Sequence, residues 1–141
     1  MDLNAKRAAI EARREESAKA RAERDELDEL EAIEAGHLDD DENVVMRFPK
    51  ARQDLPGIVV LRPIKPNEMS RVRTIMMASD AKPGAAEAKG KLNKEIAVNC
   101  LLFPSREKFQ ALCAAYADVE DECSGAVLSA ARAGATREGK G

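Results

Sequence analysis

Aromatic side chains are almost missing from this chain: three Phe, one Tyr and no Trp in 141 residues. The core must therefore be built from Leu, Ile, Val, Met and Ala, and it must be small. Histidine is scarcer still, with His37 alone. A Cys–His nucleophilic pair would have to bring Cys100, Cys113 or Cys123 to a residue stranded at the edge of an acidic segment. No two cysteines stand at CxxC spacing, which argues against a zinc site. The three are odd in number and each lies in or beside an apolar helical pattern, so free, buried thiols in a reducing compartment are expected. His37 precedes Asp39-Asp40-Asp41-Glu42, but that run lacks the spacing and distal Glu of a calcium loop and reads as a solvated hinge. Lys89-Gly90-Lys91 has neither the length nor the preceding strand of a phosphate loop. No apolar run approaches the ~20 residues of a membrane span, and MDLNAKRAAIEARREE has no apolar centre of a signal peptide. These absences leave no catalytic, cofactor-binding or metal-ligating set to assign. A soluble, intracellular, non-enzymatic protein is expected.

Charge is abundant and unevenly placed. Residues 1–43 hold 7 Lys/Arg against 15 Asp/Glu, whereas residues 44–141 hold 16 against 11. An acidic segment precedes a mildly basic domain, and it either folds over that domain or keeps the chain soluble. Residues 4–35, rich in Ala, Glu, Arg and Leu, predict one long helix with Asn4 as cap. Leu3 and Ile10 are a heptad apart, but Ser17 and Arg24 occupy the continuing positions, so no sustained coiled coil follows. Leu27, Leu30 and Ile33 make one short apolar stripe, and Gly36-His37 ends the helix. This segment is expected to lie outside the folded domain, partly disordered and dispensable for folding.

The folded part is organised around residues 58–77, IVVLRPIKPNEMSRVRTIMM. Ile58–Leu61 is a short continuous apolar run bounded by Gly57 and Pro63, the pattern of a strand covered on both faces. Pro63 and Pro66 stop the ladder, and Pro66 with Glu68 opens a helix. Met69, Val72, Ile75 and Met76 form its apolar face. Val44–Phe48, closed by Pro49, predicts a second strand, antiparallel to the first across PKARQDLPG. Ala85, Ala88, Leu92, Ile96 and Cys100 predict a further helix that ends at Leu101–Pro104. Ser105 then caps a helix with Phe109, Leu112, Cys113 and Tyr116 at i, i+3, i+4, i+7. A last helix, opening at Asp118 or Glu120, buries Cys123, Val127, Leu128 and Ala131, and residues 134–141 read as a disordered tail. The fold class is α+β: a two-stranded hairpin over 44–63 packed by three to four helices, preceded by the long charged helix. Its divisions are 1–43, 44–133 and 134–141.

Two surfaces are candidates for binding. From Arg62 to Lys94, eight basic residues (Arg62, Lys65, Arg71, Arg73, Lys82, Lys89, Lys91, Lys94) face three acids, a balance that suits a phosphate backbone. No aromatic residue accompanies them to stack on bases. Met69, Met76 and Met77 make a soft apolar surface; adjacent residues 76 and 77 cannot both face one core, so one is expected to be exposed. With Arg73 they are the candidate partner-binding residues.

Leu61-Arg62-Pro63-Ile64, followed by a helix opening Pro66-Asn67-Glu68-Met69-Ser70-Arg71, resembles the strand–RP–xxxE–helix opening of small tail-assembly chaperones and related cassette proteins of tailed bacteriophages. EIAVNCLLFPSREKFQAL, residues 95–112, is similar to their helix, apolar-aromatic-Pro step and following helix. The resemblance spans residues 57–133 and leaves out the charged helix. It implies a non-enzymatic assembly chaperone or adaptor in the cytoplasm of a bacterial host, binding an aggregation-prone phage structural protein such as the tape-measure protein. The alternative is a nucleic-acid-associated regulatory protein using the basic face of residues 62–94.

Overall fold

The structure, a computed structural model, describes residues 2–132 in full, and the disordered tail expected at 134–141 lies outside the described residues. The element order is α1 (Leu3–Glu34), β1 (Val44–Arg47), β2 (Ile58–Leu61), α2 (Pro66–Met77), α3 (Ala85–Cys100), β3 (Leu101–Phe103), α4 (Arg106–Ala115) and α5 (Asp118–Lys140). The class is α+β, as the hydrophobic patterning indicates. β1 and β2 form the antiparallel hairpin, with Val44 opposite Leu61 and Arg47 opposite Ile58.

The sheet has a third strand beyond this hairpin. Leu101–Phe103, which reads as the frayed end of a helix, pairs antiparallel with β2 and makes the sheet order β1-β2-β3. Arg62 N–H donates to the Cys100 carbonyl at 2.8 Å, so the chain is tied to the end of β2 just before the new strand begins. A two-stranded ribbon is marginal in water; a third strand and helices on its faces remove that weakness.

All four side chains of β2 are buried, alternately on two faces. Val59 and Leu61 point into the larger core, with Val72 of α2, Ile96 and Cys100 of α3, Phe109 and Leu112 of α4, and Cys123 and Val127 of α5. Ile58 and Val60 point the other way, against Ala32 of α1 and the half-buried Leu38, Leu102 and Phe103. The helix expected to stand outside the domain is therefore one of its two covers. Its C-terminal third lies on the sheet, while residues 3–19 are exposed throughout.

What fastens α1 is a charged side chain. Arg24 is only 9% exposed, and its guanidinium donates to the Ala51, Arg52 and Leu55 carbonyls at 3.1, 2.7 and 2.8 Å and to the Asp25 carboxylate at 2.7 Å. The β1–β2 loop wraps around it, so those carbonyls are satisfied inside the protein. Beside it, Asp28 accepts the Gly57 N–H at 2.9 Å, and burial raises the pKa of this carboxyl. The backbone at Gly57 passes so close that an added Cβ would collide with the Asp25 carboxylate and sit 2.6 Å from Arg24 Nε. Any larger residue there must displace the Arg24 and Asp25 side chains from their contacts with the loop. On the opposite layer, Ser124 Oγ donates to Asn93 Oδ1 at 3.0 Å and Asn93 Nδ2 to Asp121 Oδ1 at 2.9 Å, clipping α5 to α3.

Two outcomes check this architecture by chemical denaturation. A chain lacking residues 1–19 keeps its cooperative transition, whereas one beginning at Asn43 loses it or melts far lower, because Ile58 and Val60 are uncovered. Arg24→Ala destabilises by on the order of 2–4 kcal/mol, since the buried carbonyls of Ala51 and Leu55 and the half-buried one of Arg52 lose a charged donor. Retention of the full transition by the Asn43 chain would show that α1 is an appendage. Separately, Phe109→Ala or Leu112→Ala costs on the order of 2–5 kcal/mol; both side chains are fully buried.

Candidate functional site

The feature that stands out on the surface is a groove between α2 and α3. One end, about 440 Å³, is lined by Arg71, Ile75, Ala88, Lys91, Lys94, Glu95, Val98, Asn99 and Arg106. The other, about 460 Å³, is lined by Thr74, Ile75, Met77, Ala78, Lys82, Pro83, Gly84, Ala85 and Ala88. The two share Ile75 and Ala88, so they are stretches of one trough. Its floor is apolar, from Ile75, Ala85, Ala88 and Val98. Its rim carries Arg71, Lys82, Lys91, Lys94 and Arg106 against one acid, Glu95.

The trough exists because of how α2 is started and held. Arg62, at the end of β2, forks onto Glu68 with N–O distances of 2.7 and 2.9 Å and also donates to the Asn99 carbonyl at 2.7 Å. Glu68 in turn accepts the Lys65 N–H at 2.9 Å, satisfying one of the free donors at the helix start. One guanidinium thus joins the end of the sheet, the start of α2 and the end of α3. Further along, Arg71 pairs with Glu95 across the two helices at 2.8 Å, and Lys89 bridges the Ala78 carbonyl and Asp80. Gly84, at φ 78°, makes the left-handed turn into α3 that a residue with a Cβ resists.

Of the candidate partner-binding residues Met69, Arg73, Met76 and Met77, the structure brings only Met77 into the trough. It is 86% exposed. Met76 is also exposed, at 53%, where the spacing placed it with the apolar face; that face consists of Val72, fully buried, and half-buried Met69 and Ile75. Met69 packs on the core, and Arg73 is exposed on α2 without lining the trough. The basic cluster divides. Arg62, Arg71, Lys89 and Lys91 are paired with Glu68, Glu95, Asp80 and Glu87, whereas Lys65, Arg73, Lys82 and Lys94 form no ion pair among the described residues. Arg106, which the cluster as read from sequence omits, joins Lys94 at the rim because β3 returns the chain to this side.

A second, smaller hollow of about 310 Å³ lies between the β1–β2 loop and α5, lined mainly by Phe48, Pro49, Ala51, Tyr116 and Val119. The Tyr116 hydroxyl accepts the Arg52 N–H at 3.1 Å across its edge. All three cysteines are free; burial pushes the Cys113 thiol up to about 11 and the Cys123 thiol to about 12, so neither is a nucleophile near neutrality. Among the described residues, no group of three or more His, Cys, Asp or Glu is placed to hold a metal ion, and no helix is long and apolar enough to cross a membrane.

The Arg62–Glu68 fork has a pH signature. The guanidinium hydrogen bonds hold the Glu68 carboxyl down at about 2, against an ordinary 4.5. A depressed carboxyl contributes stability that is present above 4.5 and lost as pH falls toward about 2. Asp28 works in the opposite sense: its raised pKa makes folding less favourable as pH climbs past the ordinary 3.8. We expect Glu68→Gln to flatten the acid limb of the stability–pH curve between about 4.5 and 2. An unchanged limb would mean that the fork is solvated and does not hold α2.

Comparison with protein-family models, with curated proteins and with solved structures finds no match.

Proposed function

We propose that this chain is a non-enzymatic binding protein, an assembly chaperone or adaptor, which receives an apolar helix of a structural protein in the α2–α3 trough. The observation that carries the reading is the trough itself: an apolar floor about two helical turns or more in length, open to solvent, with Met77 exposed at its lip. An amphipathic helix laid in such a groove is a recurring mode of recognition, and methionine adapts to varied partners. The bacteriophage setting, with a tape-measure protein as client and a bacterial cytoplasm as location, rests on the resemblance at Leu61–Arg71 and residues 95–112. The paired state of Arg62, Arg71, Lys89 and Lys91 weighs against the nucleic-acid reading, which has Lys94 and Arg106 in its favour.

Met77→Asp separates the two readings, because an exposed side chain bears a charge without cost until a partner desolvates it. The variant keeps the wild-type thermal transition, and on co-expression with a tape-measure-type tail protein it leaves that client insoluble. A loss of about 2 kcal/mol at the lip lowers affinity roughly 30-fold. Undiminished client solubility overturns the trough as the binding site. Salt-sensitive retention on DNA or RNA that falls with Lys94→Glu but not with Met77→Asp would instead establish the nucleic-acid reading.

A further inference from the structure

We infer that the trough also receives a second copy of this chain: the outer face of α1 from one molecule seats between α2 and α3 of the next. The inference rests on reading the trough as a receiver of helices, and it names an occupant by chemistry already present in the chain. Arg24, Asp28 and Ala32 turn one face of α1 toward the sheet. The opposite face carries Leu27, Leu30 and Ile33, exposed at 63%, 49% and 49%. Three large aliphatic side chains at successive i+3 positions, left in water on a helix whose other face is docked, are an apolar stripe without a partner.

The stripe and the trough are complementary in charge and in length. Exposed Glu23, Glu26 and Glu34 flank Leu27, Leu30 and Ile33, and from Asp25 to Glu42 the chain has ten acids and no Lys or Arg. The trough presents an apolar floor inside a rim of Lys82, Lys91, Lys94 and Arg106. At 1.5 Å per residue, residues 23–34 extend about 16 Å, and the stretch of α3 that borders the trough, 85–99, about 21 Å. The same molecule cannot make this contact with itself, because the sheet lies between: α1 covers the Ile58 and Val60 face, while α2 and α3 lie on the Val59 and Leu61 face. Each copy thus carries one donor face and one receiver, a head-to-tail arrangement that closes into a ring or extends as a chain. A client helix and a second copy then compete for one site, and the self-associated form keeps the Leu27–Ile33 stripe and the trough covered until a client arrives.

Sedimentation velocity on the full chain tests this. The wild type associates as its concentration rises to about 100 µM, and about 0.5 M salt weakens that association. Glu26→Lys with Glu34→Lys, or Lys91→Glu with Lys94→Glu, each yields a monomer with an unchanged circular dichroism spectrum, since all four side chains are exposed. Mixing the two variants, or combining all four changes in one chain, restores association, because opposite charges again face each other. A wild type that stays monomeric to about 100 µM overturns the inference. So does either charge reversal that associates like the wild type, or a mixture that remains monomeric. The client assay keeps this distinct from the function proposed above: Glu26→Lys with Glu34→Lys removes self-association and leaves client solubility intact. Self-association that obeys the charge rules alongside a client indifferent to Met77→Asp would leave this inference standing and remove the other.

Discussion

Four consecutive side chains of β2 point alternately to two faces of the sheet, and both faces must be kept dry. That constraint accounts for most of the rest. On one side α2 to α5 assemble around Val59 and Leu61; on the other, the only chain left to cover Ile58 and Val60 is α1 with Leu38 and the inner side of β3. Because α1 is highly charged, with Ala32 its one fully buried apolar residue, it cannot be held there by hydrophobic burial alone. Arg24 supplies the hold, and the loop carbonyls of residues 51–55 converge on it. A buried guanidinium is costly unless its donors are met, and here the Nε and Nη1 donors reach acceptors within 3.1 Å.

The same sheet separates the charges. The acidic stretch after Asp25 lies with α1 on one face, and the basic rim of the trough lies with α2 and α3 on the other. Composition alone left open whether the acidic segment folds back over the basic domain. The placement of Ile58 and Val60 under α1 shows that it does, but on the face of the sheet away from the basic rim, with its outer side turned from the molecule. Separation of this kind favours contacts between molecules over contacts within one.

Much of the helical layer was legible because it rests on local chemistry. Pro63, Pro66 and Glu68 mark the end of β2 and the start of α2, and Ser105 caps α4 through the Lys108 N–H at 3.4 Å. Phe109 and Leu112 are buried where their spacing puts them. What was not legible depends on residues far apart in the chain. β3 is three residues long, too short for a period, and becomes a strand only because β2 has an open edge beside it. The burial of Arg24 needs acceptors 27 to 31 residues away, so nothing near it in sequence distinguishes it from the exposed arginines of the same helix. Yet one sign was available: a strand apolar at every position demands two covers, and with the later helices gathered on one face, α1 was the element left for the other. The trough was legible in part. Met77, Lys91 and Lys94 stood out by type, whereas Arg106 reaches the rim only through the turn that β3 makes.

The exposed half of α1 follows from the docked half. An isolated helix of this composition is marginal because nucleation fixes several residues for one hydrogen bond. With residues 24–32 fixed on the sheet, that nucleus exists permanently, and residues 3–23 extend it as helix-favouring Ala, Glu, Arg and Lys, each adding a hydrogen bond for each residue ordered. The outer stripe of Leu27, Leu30 and Ile33 sits within this fixed region, so a partner meets a formed helix and does not have to order one. Since ordering on contact is a principal cost of association, the Arg24 anchor that holds the fold together also makes the free face of α1 ready to bind.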